Sequence, residues 1–116
     1  MNFKLILALV DETKADSILK AAREAGATGA TVITSVRGEG LVPKKTFLGL
    51  DLAAPRDVVL LVVEDHLSSR ILENVASAGH LDTERGAGIA IQLAIEATVG
   101  LGGQIEELSQ RRGDPP

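Results

Sequence analysis

A chain of 116 residues with a formal net charge of −4 and only two aromatic residues, both Phe, is long enough for one core and too short for two. It offers neither the basic surface nor the stacking platforms that nucleic acid requires. Cysteine is absent, which excludes disulfides, thiolate chemistry and the common zinc and iron–sulfur frameworks; His66 and His80 are not spaced as a helical metal pair, so no metal site is expected.

The first predicted element is the strand FKLILALV (residues 3–10). It is too short to span a bilayer and runs straight into Asp11 and Glu12 rather than a small-residue cleavage site, so a cytoplasmic chain without membrane insertion is expected. Ala15, Ile18, Leu19, Ala22 and Ala25 then recur at helical spacing, with Asp11 near the helix start as a cap and Gly26 as the left-handed residue that ends it. A second strand, ATVITSV, begins at Ala30, and a third, VVLLVV, at Val58. The second helix carries Leu67, Ile71, Val75 and Ala78, with Asp65 near its start as a cap and Gly79 as its expected left-handed terminator. The last predicted strand, IAIQLAIEATV, runs from Ile89 to Val99.

The halves repeat. LALVDETKADSILKAAREAG (Leu7 to Gly26) lies without a gap over LLVVEDHLSSRILENVASAG (Leu60 to Gly79). The order β-α-β, β-α-β predicts an α+β ferredoxin-like sandwich with an antiparallel sheet, first and third strands central, second and fourth at the edges. FKLILALV and VVLLVV are apolar on both pleats, as central strands should be, and the other two alternate. Helices cover only one face of such a sheet. Periodicity does not say which; taking Ile6, Ala8, Val10, Val59, Leu61 and Val63 as the bare pleat, leaving the larger of them wet would forfeit about 1.5–3 kcal/mol each. Either choice predicts self-association through the sheets.

Two loops exceed what the fold needs. Between Val36 and Val58 lies a segment bounded by Gly38-Glu39-Gly40 and Pro55-Arg56, far beyond the usual hairpin length of about two to five residues. Lys44 and Lys45, followed by Phe47, Leu48, Leu50 and Leu52, put a basic and apolar cluster where a solvated linker would be polar, which points to recognition of a partner protein. In the second half, HLDTER separates Gly79 from Gly86 where Ala27-Thr28 separates Gly26 from Gly29 in the first. That insertion ends in RGAG (Arg85 to Gly88), whose glycines admit close backbone approach and offer N–H groups to an anion beside an arginine. Asp82, Thr83 and Glu84 near His80 form no nucleophile–base pair and read as solvated loop, so no catalytic residue and no enzyme are expected.

Taken together, GATGATVITSVRGEG, PRDVVLLVVED and AGHLDTERGAG resemble the PII signalling family, whose members carry GxTGMTV, a GxG, a long T-loop and a B-loop of type TGKIGDGK. The resemblance runs from Phe3 to Val99. It implies a PII-like domain over residues 1–101, with a T-loop at 38–55 and a B-loop at 80–88, followed by a polar tail at 102–116. It further implies a homotrimer that binds an adenine nucleotide in clefts between subunits and regulates a membrane transporter or metabolic enzyme through the T-loop. Gly38, Glu39 and Gly40 match the GxG at the base of that loop; Thr31 matches the threonine of GMT, and Val62 an adenine-lining strand residue. Arg56 stands where the family places a lysine, and Gly86, Ala87 and Gly88 match the phosphate-cradling GDG. The chain departs from the pattern in three ways. Ile89 replaces the basic residue after GDG, the arginines on or after the last strand are missing from IEATVGLG, and Gly40-Leu41-Val42 lacks the glutamine that helps hold magnesium and 2-oxoglutarate. Phosphate neutralisation would then fall to Arg85, Arg56 and Arg37, with AMP, ADP and ATP all open. Having no tyrosine, the chain offers no T-loop tyrosine for uridylylation. The alternative is a ferredoxin-like module that binds an amino acid or metal ion at an oligomer interface, as ACT domains or the divalent-cation tolerance trimers do.

Overall fold

Alternation along two apolar strands sets the architecture. The computed structural model describes residues 2–36, 46–47, 50–51 and 55–102. In chain order these form β1 (Phe3–Asp11), a 3-10 turn (Glu12–Lys14), α1 (Ala15–Glu24), β2 (Thr31–Val36), β3 (Thr46–Phe47), β4 (Leu50–Asp51), β5 (Arg56–Glu64), α2 (Asp65–Ala78) and β6 (Gly88–Ala94). The main sheet has the order β2-β5-β1-β6, with every neighbouring pair antiparallel. This is the expected ferredoxin-like α+β arrangement with two central and two edge strands. The internal repeat is realised residue for residue in the central pair, since β1 and β5 are both nine residues long. β3 and β4 form a separate two-stranded ladder within the long connection.

Both helices lie on one face. Ile6, Ala8 and Val10 of β1 and Val59, Leu61 and Val63 of β5 are buried with Ile18 and Ala22 of α1 and Ile71 and Val75 of α2. The pleat taken above as bare is therefore the covered one. On the opposite pleat the register aligns apolar side chains across the sheet. Leu9 stands between Val58 and Ile89, Leu7 between Leu60 and Ile91, and Leu5 between Val62 and Leu93. Ile33 extends the first of these rows onto β2. No element among the described residues covers this face, and Ile33, Ile91 and Leu93 are each more than 40% exposed.

Three local expectations are corrected. β6 ends at Ala94 rather than Val99: among the described residues its only neighbour is β1, and Lys4↔Ala94 is already at the start of that neighbour. Asp11 does cap, its Oδ1 accepting the Thr13 N–H at 2.9 Å and the Thr13 hydroxyl at 2.7 Å. Asp65 instead occupies the first turn of α2 without capping it, its carboxylate 3.7 Å from Lys4 Nζ. Finally, Gly26 ends α1 in the left-handed conformation (φ 115°), but in the second half the left-handed residue is His80 (φ 53°). Gly79 is still helical, at φ −89°. The His80 N–H reaches the Ser77 carbonyl and the Leu81 N–H the Ala76 carbonyl, the paired bonds of a Schellman terminus one residue later than expected. Gly79 is there for space: a Cβ would sit 3.0 Å from Leu81 and 3.1 Å from Ile18.

Leu61, 1% exposed under the helices, tests the assignment of faces. Leu61→Lys buries an unpaired ammonium and should destabilise the fold by about 3–5 kcal/mol, read as a fall in the urea midpoint.

Candidate functional site

The candidate site forms at the end of the sheet where β1 finishes and β5 begins. Asp11 and Arg56 face each other in the ladder, and Val36, the last residue of β2, pairs with Arg56 from the other side. Arg56 is 4% exposed; its guanidinium donates to the Gly86 carbonyl at 2.7 Å. The Asp11 N–H donates to the Ala87 carbonyl at 3.0 Å, and the Ala87 N–H to the Glu84 carbonyl at 3.2 Å. The RGAG turn is thus tied to β5 by a side chain and to β1 by the main chain. Lys14, at the end of the 3-10 turn, closes on the Glu84 carboxylate.

The two glycines of that turn play different parts. Gly88 (φ 153°) lies against β1, where a Cβ would come within 2.6 Å of the Leu9 carbonyl oxygen. It is required by strand packing. Gly86 (φ 75°) is left-handed, and among the described residues nothing lies near the position of a Cβ, which leaves room in front of it for a ligand.

β5 also fixes the place where the long loop leaves the sheet. β2 changes register between Ile33 and Val36, Ser35 is left-handed at φ 57°, and its N–H donates to Asp57 Oδ1 at 3.3 Å. Asp57 is 7% exposed. Neighbouring residues Arg56 and Asp57 therefore hold the RGAG turn and the end of β2. Of the residues singled out in sequence, Arg37, Gly38, Glu39, Gly40, Lys44, Lys45 and Leu48 lie outside the described residues, as does the side chain of Phe47; so does the tail beyond Gly102. Arg56, Arg85, Gly86, Ala87 and Gly88 come together at one end. Thr31 and Val62 do not join them: opposite Leu60 and Leu5 on the bare face, Val62 is six residues up β5 from Arg56, about 20 Å at the rise of a strand.

Sequence reading missed Lys14, Glu84 and Asp57. Lys14 and Glu84 are 70 positions apart, and no local pattern marks them; Asp57 reads as an ordinary strand boundary. Among the described residues, no group of three or more His, Asp or Glu is placed to hold a metal ion, and no helix is long and apolar enough to cross a membrane.

The Asp11 carboxyl is held below the ordinary range, first by the Thr13 backbone N–H, then by the Thr13 hydroxyl and the charges of Arg56 and Lys14, against an opposing desolvation. A carboxylate depressed in the folded state contributes stability that is complete above its unfolded value, about 3.9, and is lost as pH falls through the lower folded value. The urea midpoint of the native chain should therefore fall more steeply below about pH 4 than that of Asp11→Asn. Substitutions at the glycines should separate in the same assay. Gly88→Val should disrupt β1–β6 pairing and the fold, whereas Gly86→Ala should cost only the left-handed conformation, about 1–2 kcal/mol.

A family model described as Nitrogen regulatory protein P-II matches residues 3–101. No curated protein matches the chain.

Proposed function

Because the chain belongs to the nitrogen regulatory protein P-II family, whose members are regulatory oligomers and signal-transduction proteins rather than catalysts, we propose that it acts as a cytoplasmic homotrimer that binds an adenine nucleotide between subunits and reports its occupancy to a partner through residues 38–55. The observation that carries this reading is the bond from Arg56 to Gly86. Arg56 is where the long loop re-enters the sheet, and Gly86 is in the turn suited to phosphate, so a ligand on the turn acts on a residue that also anchors the loop.

The bare face supports assembly. Its rows of Leu, Ile and Val are continuous across the sheet, and the hydrophobic effect favours covering them with the same face of other copies. Assembly also supplies a role for Thr31 and Val62, which lie too far up the sheet to meet the RGAG turn of their own subunit. In the proposed cleft they line the adenine side for a nucleotide whose phosphates lie on Arg85, Gly86, Ala87 and Gly88 of a neighbour, with Arg37, Gly38, Glu39 and Gly40 closing around it and Arg56 holding the turn from behind through the Gly86 carbonyl. Lys44, Lys45, Phe47 and Leu48 suit a partner with an acidic rim around an apolar groove, on the cytoplasmic side of a transporter or on a metabolic enzyme.

Two measurements test the proposal. Light scattering at low micromolar concentration should give a trimer mass, and Leu60→Lys, which places an ammonium in the middle of the bare face, should give a folded monomer. A native chain that scatters as a monomer overturns the assembly. Calorimetry with AMP, ADP and ATP should show saturable binding of at least one. No heat and no thermal shift with any of them would remove the nucleotide and bring forward the ferredoxin-like module for an amino acid or metal ion.

A further inference from the structure

Arg56 is buried and points its guanidinium at the back of the RGAG turn, on the Gly86 carbonyl. A ligand approaching the open side of Gly86 meets a different set of groups. Among the described residues, the Arg85 and Gly86 N–H groups donate to no acceptor, and successive amides running into a left-handed glycine form the type of concavity that takes an anion. Two cations belong to the surroundings of this turn: Arg85, which is part of it and exposed, and Lys14, which is paired with Glu84, the residue directly before Arg85. Lys14 is placed independently of Glu84, because the 3-10 turn that carries it is fixed by the Asp11 cap and the same Asp11 is bonded through its N–H to Ala87.

We propose that Lys14 is a phosphate-binding residue that Glu84 holds until a ligand arrives, the ε-ammonium leaving the carboxylate for a phosphoryl group seated on the Arg85 and Gly86 amides. This deepens the reading of the RGAG turn as a nucleotide site and rests on it. The exchange is favourable on general grounds. The side chain of Glu84 is 55% exposed and that of Lys14 20%, so their ion pair is partly hydrated and weakly held. A phosphoryl group brings nearly two negative charges and three acceptor oxygens to the same ammonium, against one charge from the carboxylate. Glu84, once released, is close to open solvent. Lys14 thereby supplies a cation in a chain that has Ile89 directly after the turn.

The two partners of the pair should then act with opposite signs. If the contact only braced the turn, removing either side chain would weaken ligand binding alike. If it is a competition, Lys14→Gln removes a phosphate contact while Glu84→Gln removes a competitor. Calorimetry on the full chain with ATP, ADP, AMP, adenosine and pyrophosphate reads the difference. Lys14→Gln should weaken ATP and pyrophosphate by about three- to tenfold and leave adenosine unchanged, Glu84→Gln should tighten both phosphate ligands by a similar factor, and Lys14→Arg should restore most of the loss. Equal weakening by Lys14→Gln and Glu84→Gln, or no change in either, overturns the role of Lys14 while leaving the nucleotide site standing. A native chain that binds neither nucleotide nor pyrophosphate removes the site itself, and this inference with it.

Discussion

The antiparallel pairing of β1 with β5, from Phe3↔Glu64 to Asp11↔Arg56, is the constraint on which the rest depends. Because side chains alternate along a strand, one register decides three things at once. It puts Ile6, Ala8, Val10, Val59, Leu61 and Val63 beneath the helices. It stacks Leu5, Leu7 and Leu9 with Val62, Leu60 and Val58 on the face the helices leave. At its last pair it sets a carboxylate against a guanidinium, and from there Arg56 reaches the turn before β6. A shift of one residue would exchange the faces and move the arginine away from that turn. The fold and the candidate site are not separable features of this chain.

Much of this was legible in the sequence. The gapless repeat carried the topology, because two β-α-β units with matching strand-helix segments suit a ferredoxin-like sheet, in which the first strands of both units lie at the centre. The helices were legible from stripes such as Ile18, Leu19 and Ala22. The choice of pleat was not, and the reason is physical: FKLILALV and VVLLVV are apolar on both sides, so alternation carries no sign. Gly79 misled for a related reason. A glycine after a helix usually terminates it, but here the space between Ile18 and Leu81 demands the missing side chain, and His80 takes the left-handed conformation instead. The strand end at Ala94 could not be read from IAIQLAIEATV because it depends on where the neighbour starts.

The candidate site was half legible. RGAG announced itself by composition and Arg56 by its place after Pro55. Their contact, like that of Lys14 with Glu84, joins residues far apart in the chain and exists only once the sheet has brought its ends together. Asp57 is a similar case. A buried carboxylate on the Ser35 amide stabilises a left-handed residue that would otherwise be strained, and nothing in the run TSVRGEG announces a bulge.

The bare sheet face has a consequence for how the chain survives before it meets its copies. Family members are oligomers, and in a single folded copy no element among the described residues covers the continuous rows of leucine, isoleucine and valine, flanked by the edge strands β2 and β6. On the proposed assembly, such a species is both the intermediate through which every copy passes and a template for unintended strand pairing. Folding of one copy is unimolecular, whereas the proposed covering of its bare face takes other molecules, so on that proposal dilution lengthens the time during which this surface is displayed. Stability is then a property of concentration as well as of sequence: the rate at which the chain is synthesised, relative to its consumption by proteases and aggregation, decides how much of it reaches the assembled state.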